Sequence, residues 1–310
     1  MLIAVMKLCG AASQDNKKKL YAKIPQITPN YQIRIMPSKI PKYIRQIRKN
    51  GLIAFLRERR KRRKRKRADK RELVRDHLLH VHRERIAYGP FKGMKVSSEH
   101  VSWGDGDLAT KILGVYEKIV LDKIVELSKS INGPFIDIGA ADGYYVIGAT
   151  YAGLFQQAHA FEIDPKGQEV TRHNAHTNNV TDKVHIHGQA DREKIKSLTT
   201  PHKDALILID IEGAEFDLLD ADTLEALREC TLIIESHPLL VEDGLEREKE
   251  MLERASKYFE IEKIKGQFVS PNEFDELDDF SDYERLVSFS EGRMRVGYWF
   301  LMTPLRIISS

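Results

Sequence analysis

Short apolar runs separated by stretches of helical composition dominate the chain from residue 134 onward. PFIDI (134–138), AHAFEI (158–163), KVHIH (183–187), ALILID (205–210) and TLIIES (231–236) each have strand length, and most are joined by segments long enough for a helix. That alternation predicts βαβ units and a parallel sheet covered on both faces, the setting in which a strand is continuously apolar. Two later runs, Tyr258 to Ile264 and Arg295 to Met302, bring the predicted sheet to seven strands. Upstream, Ile112, Leu113, Tyr116, Ile119, Val120, Ile124 and Leu127 recur at helical spacing and predict one helix over 108–131. The acidic segment NEFDELDDFSDYER (272–285) reads as a surface loop or lid.

The N-terminal part has a different character. Pro25, Pro29, Pro37 and Pro41 predict extended or turn-rich chain, with a basic helix from about residue 41 to 85 and glycine-rich turns over 88–106. Residues 1–88 hold 26 Lys and Arg against 6 Asp and Glu, which leaves 24 against 40 for the remainder of the chain. Opposite charge marks two physical units, a basic appendage over 1–88 and a main domain over 89–310. The densest basic run, RERRKRRKRKRADKR (57–71), suits nucleic acid, anionic lipid or another acidic surface as a partner. A solvated inter-domain helix explains the run equally well. No aromatic residue interleaves it, which argues against base stacking.

With 42% hydrophobic and 31% charged residues, the composition is that of a globular protein, and no apolar run approaches the roughly 20 residues of a membrane-spanning helix. Cys9 and Cys230 are far apart and form no CxxC pair, so neither a disulfide framework nor a zinc knuckle is expected. The opening MLIAVMKLCG lacks the basic start and length of a secretory signal. A cytoplasmic location follows as the expectation, with peripheral membrane contact through the basic run.

Candidate chemistry lies where the predicted strands end, because open parallel sheets bind ligands at their carboxyl edge. The first strand runs into Asp137-Ile138-Gly139-Ala140-Ala141-Asp142-Gly143. Gly139 and Gly143 permit a tight turn, yet Ala141 and Tyr144 stand where GxGxxG would have its later glycines, and no GxxxxGK[ST] occurs. A leading carboxylate at Asp137 suits a cationic ligand better than a phosphate. Glu162 ends the second strand at about the spacing of a ribose-binding acid, and Gln189 or Asp191 after the third could read the amino edge of adenine. Ribose, adenine and a cationic tail without phosphates describe S-adenosylmethionine.

FIDIGAADGYYVIGA, AFEIDP, LIDIEGAEFDLLD and LIIESHP, in this order, resemble the FkbM-type branch of the S-adenosylmethionine-dependent class I methyltransferases. The resemblance covers roughly 88–302 and includes YGPFKGM and KILGVYE; Leu208 departs from it, standing where many relatives carry lysine. It implies a Rossmann-like, seven-stranded, mostly parallel sheet. It also implies that Asp137 and Gly139 face the amino-acid part of the cofactor, Glu162 the ribose, Gln189 or Asp191 the adenine, and Asp210 the reactive methyl, with Ala140 and Gly143 also among the cofactor-binding residues. The implied activity is O-methylation of a saccharide or related hydroxylated acceptor.

A hydroxyl attacks well only while its proton is being removed. His237, just after the fifth strand, is the expected general base, with Asp210 or Glu235 behind it. Glu215 reads as a helix-start charge, while Glu212 has no assigned role. The pairs His173/His176 and His185/His187 read as packed or solvated rather than as a metal site. Magnesium held by Asp210, Glu212 or Glu235 would acidify the acceptor, though nothing in the spacing requires it. Two alternatives stand beside this reading: an RNA or DNA methyltransferase using the basic run, opposed by the acidic main domain and the lack of a base-methylation motif, and a cofactor-binding protein without turnover.

Overall fold

The computed structural model describes residues 52–101, 106–201, 204–291 and 297–305; the expected extended segment over 20–50 lies outside them. The chain divides into two compact units, Met1–Lys61 and Arg62–Ser310. Helix α1 (Leu52–His82) carries the basic run and continues into the second unit. There Val74 and Leu78, one turn apart on one helix face, are fully buried together with Leu79 against Leu108, Ile112, Phe274, Leu277 and Phe289. Each such side chain contributes about 1.5–3 kcal/mol on burial. The later turns of α1 are therefore part of the main domain's core, and the compact unit begins well before the sequence-based boundary at residue 88.

The single helix expected over 108–131 is two helices, α2 (Leu108–Ile112) and α3 (Lys118–Leu127). The break is a backbone contact. Gly89 and Gly114 both have positive φ, and a Cβ on Gly114 would lie 2.1 Å from the Tyr88 carbonyl oxygen. Apolar spacing runs through the interruption because residues on both sides of it are buried, so periodicity alone does not reveal it.

The seven strands are β1 (Phe135–Ile138), β2 (Ala158–Phe161), β3 (Val184–His187), β4 (Leu206–Ile209), β5 (Thr231–Glu235), β6 (Phe259–Lys265) and β7 (Tyr298–Pro304). Their order is β3-β2-β1-β4-β5-β7-β6, with β1 to β5 parallel and β7 antiparallel to both of its neighbours. This is the Rossmann-like, mostly parallel arrangement of a class I methyltransferase fold. Strand β4 shows why its sequence is apolar without interruption: Leu206 and Leu208 join the core on one sheet face, Ile207 and Ile209 the core on the other.

Local chemistry starts the connecting helices. After α4 (Tyr144–Tyr151), helix α5 (Pro165–Thr177) opens with Pro165 and with Asp164 accepting from the Lys166 N–H. Asp191 caps α6 (Arg192–Thr199), and Asp220 caps α8 (Ala221–Ala226), which follows the single turn α7 (Glu215–Leu218). Helix α9 (Gly244–Ala255) covers the far face. The acidic segment 272–285 is anchored rather than loose. It forms two short 3-10 turns and the start of α10 (Asp282–Ser288), and it buries Phe274 and Leu277.

The chain builds β1, β2 and β3 outward in one direction, then returns to place β4 on the other side of β1. The crevice at that reversal is where such sheets bind ligands.

Candidate functional site

A cleft of about 680 Å³ opens at the carboxyl ends of β1 to β4. Its floor is the turn after β1. Gly139 has φ +98°, and a Cβ there would fall 1.8 Å from the Asp210 carbonyl oxygen, so only glycine lets this turn lie against the end of β4. The Gly139 and Ala140 N–H groups both donate to the Phe161 carbonyl, at 2.9 and 3.0 Å. Gly143, at φ +80°, leaves room for Thr171, whose methyl would otherwise meet a Cβ at 2.6 Å. Ala141 is left-handed as well, at φ +50°, although it is not glycine. Its N–H donates to Glu162 Oε2 at 2.9 Å, while Glu162 Oε1 accepts from the Asp164 N–H at 2.7 Å. A carboxylate offers about four acceptor positions, so Glu162 can hold the turn and still accept from a ligand.

The expected cofactor residues divide by placement. Gly139, Glu162, Gln189 and Asp210 line the cleft. Ala140 is buried beneath the turn, Gly143 packs on α5, and neither forms the wall. Asp137 is only 2% exposed, and burial followed by the charges of Asp210, Glu162 and Asp142 pushes its carboxyl well above the usual range. Asp191 is not in the wall. Its Oδ1 accepts from the Lys194 N–H at 2.8 Å and its Oδ2 pairs with Lys194 Nζ at 3.0 Å. These contacts hold the Asp191 carboxyl below its ordinary value. Of the two candidates for adenine, Gln189 alone faces the cleft.

The expected catalytic residues converge beyond the end of β4. Asp210 and Glu235 act on each other's charge, and both carboxyls lie within 4 Å of His237 Nε2. Burial raises the Asp210 carboxyl to about 6, tempered by the neighbouring His237. Glu235 rises further, to about 10, through burial and then the Asp210 charge. His237 Nε2 lies 3.8 Å from Asp210 and 3.7 Å from both Glu212 and Glu235. Burial acts to lower the His237 pKa, but Glu215, Asp210 and Glu212 more than offset it and raise it. His237 does not line the cleft, whereas Asp210 and Glu212 do.

Glu215 corrects its sequence reading. It does open α7, but its side chain is fully buried instead of acting as a surface charge at a helix start. Oε2 accepts from the Gly213 N–H and Oε1 from the His237 N–H, each at 2.8 Å. One carboxylate thus joins the loop after β4 to the loop after β5. Burial would raise its pKa, yet the bonds from His237 and Gly213 hold it below the ordinary value.

Asp210, Glu212 and His237 offer ligand atoms within 4.8 Å of one another, and are the only such group of three or more among the described residues. Two carboxylates and an imidazole suit a divalent cation. Elsewhere among the described residues, His173 stacks on His100 with centroids 3.6 Å apart, and His187 Nε2 lies 3.1 Å from His159 Nδ1.

Sequence reasoning missed Lys111, Asp107, Asp142 and Tyr116, which close the end of the cleft nearest β1. Lys111 is not among the apolar positions of the 108–131 pattern, yet in the five-residue α2 it is only 6% exposed.

No protein-family model and no curated protein sequence matches the chain. Among solved structures, it is similar to a putative O-methyltransferase from Klebsiella pneumoniae (13% identity, TM-score 0.41, 75% of this chain and 90% of that one). It is also similar to a precorrin-6y C5,15-methyltransferase from Geobacter metallireducens (15% identity, TM-score 0.40, 58% and 85%). A B. subtilis tRNA methyltransferase matches at 14% identity and TM-score 0.36, over 58% and 64%. Similarities of this size assign no activity, and the fold class rests on the strand order itself.

Proposed function

We propose that the protein is an S-adenosylmethionine-dependent O-methyltransferase acting on a hydroxyl of a saccharide or related hydroxylated metabolite. The observation that carries this reading is the sequence of groups along the cleft, which follows the parts of the cofactor. Gln189 and the exposed Ile163 offer an amide and an apolar face for adenine, and Glu162 is placed for the ribose. The carboxylates near Asp142 and Asp210 then suit an ammonium and a sulfonium.

The transfer needs an acceptor oxygen in line with the methyl carbon. The oxygen–carbon bond forms as the carbon–sulfur bond breaks, and the acceptor proton passes to a base. His237, the expected base, stands behind the wall and is surrounded by carboxylates that favour its protonated form. Asp210 faces the cleft and burial raises its carboxyl to about 6, so we assign the proton to Asp210 and an orienting role to His237. With His237 neutral, the Asp210, Glu212 and His237 side chains would instead hold a divalent cation, which when bound would acidify the acceptor hydroxyl and take Asp210 as a ligand in place of a base.

The first half of the reading is tested by calorimetric titration with S-adenosylmethionine. Glu162→Ala is expected to weaken binding at least tenfold; unchanged affinity would place the cofactor elsewhere. Incubation with methyl-labelled cofactor and fractionated cell extracts, followed by mass spectrometry, identifies the acceptor. The basic run of α1 is proposed to bring the enzyme to an anionic surface. Affinity for anionic vesicles or for RNA that falls steeply with salt, and vanishes when residues 57–71 are neutralised, separates those partners. Among the described residues no helix is long and apolar enough to cross a membrane.

A further inference from the structure

Among the described residues, the cleft's wall carries six carboxylates, Asp107, Asp142, Glu162, Asp210, Glu212 and Asp217, and one cationic side chain, Lys111. A cofactor with an adenosyl sulfonium and an α-ammonium is well served by such a surface. Its α-carboxylate is not. Placed among these acids without a cation, that carboxylate would be repelled by groups that stabilise the rest of the molecule.

Lys111 lines the cleft beside the turn after β1, to which its bond to Asp142 ties it. Across the sheet, the order β3, β2, β1, β4 places Gln189, then Glu162, then the Gly139 turn, then Asp210. Asp142, at the far side of the Gly139 turn, accepts from Lys111 Nζ at 2.9 Å, and Asp107 holds the same nitrogen at 2.9 Å. The ammonium also sits over the rings of Tyr116 and Tyr144, 5.0 and 5.3 Å from their centroids. These contacts fix the position of a buried charge that would otherwise move. An ammonium has three N–H donors, and two are directed to the two carboxylates. The Asp107–Lys111–Asp142 array therefore presents minus, plus and minus in a row, the complement of an amino acid's charged end.

We infer that Lys111 binds the α-carboxylate of S-adenosylmethionine, with Asp142 and Asp107 holding it in place and offering the α-ammonium its partner. This rests on the cofactor reading above. Lys111 is a binding residue here and takes no part in methyl transfer. It makes the site selective for cofactor molecules that keep an intact amino-acid end.

The full chain is titrated calorimetrically with S-adenosylmethionine and with its decarboxylated form, S-adenosyl-3-methylthiopropylamine. The parent protein is expected to bind the first at least tenfold more tightly. Lys111→Met is expected to lose tenfold or more for S-adenosylmethionine and to stay within about threefold for the decarboxylated form, while Lys111→Arg keeps most of the preference. Equal losses of both ligands in Lys111→Met would overturn the assignment, because they would make Lys111 a structural group only. Should Lys111→Met fail to fold, the parent's own preference still decides: equal affinity for the two ligands removes any carboxylate contact. A parent that binds the decarboxylated form and rejects S-adenosylmethionine contradicts the inference, whereas a parent that binds neither contradicts the cofactor reading on which it rests.

Discussion

The carboxyl groups of Asp210 and Glu235 lie 3.8 and 3.7 Å from one nitrogen, His237 Nε2, the first facing the cleft and the second only 5% exposed. Two acids this close ionise in sequence, and the more buried one keeps its proton. With Asp210 as base, kcat/KM measured in EDTA-containing buffer should rise about tenfold per pH unit below about 6 and level off above it. Asp210→Asn should lower the plateau by about 10²–10⁴. A flat profile from pH 5 to 8 would remove Asp210 from that role.

Glu235 has a thermodynamic consequence of its own. Its folded value, about 10, lies above the ordinary 4.5, so the native state binds more protons than the unfolded chain between those values. The stability this proton contributes is complete below the unfolded value and is lost as pH rises toward the folded one. Glu235→Gln, which keeps a neutral side chain of the same shape, should therefore flatten the decline of Tm with rising pH and be the more stable form at pH 9. Thermal melts across pH 5–9 provide the comparison.

Glu215 closes two buried donors at once. Glu215→Ala leaves the Gly213 and His237 N–H groups without their acceptor, and should cost about 2–4 kcal/mol in urea denaturation. Glu215→Gln keeps one acceptor oxygen and should lose less. If Ala and Gln behave alike and both cost under about 0.5 kcal/mol, the clamp has no energetic weight.

Two residues of one turn should respond in opposite ways. Gly139→Ala sets a methyl 1.8 Å from the Asp210 carbonyl and should abolish cofactor binding or folding. Ala141→Gly removes a left-handed alanine costing about 1–2 kcal/mol, offset in part by the greater freedom of glycine in the unfolded chain. Its Tm should be equal or higher, with binding retained.

Leu78 lies in what the charge pattern marks as an appendage, yet it is fully buried. Leu78→Ala should destabilise the main domain by about 2–5 kcal/mol in chemical denaturation. A neutral result would mean that α1 contributes little to that core.

The centre of the sheet was legible because β4 is an uninterrupted apolar run and β1, β2 and β5 are mostly apolar, whereas β3 and β6 alternate apolar residues with His, Glu and Lys. Β-structure of this kind needs no partner information: both faces are covered, as the two cores meeting at β4 show. The carboxyl-end residues Glu162, Gln189 and Asp210 were legible for the same reason, since a strand's end locates the cleft. What failed to show was whatever depends on a contact distant in sequence. The break at Gly114 needs Gly89 against it, the inward turn of Lys111 needs Asp142, and the burial of Glu215 needs the loop carrying His237. Charge pattern also misled at α1, because a few apolar positions after a long basic run were enough to dock its later turns.

The missing side chain at Gly139 has a final consequence. With no atoms between the turn after β1 and the carbonyl of Asp210, the surface that would receive the cofactor and the carboxylate that would receive the proton are measured from the same point of backbone. Neither can be displaced alone. Changes that widen the cleft at this joint would move the Asp210 carboxylate with it.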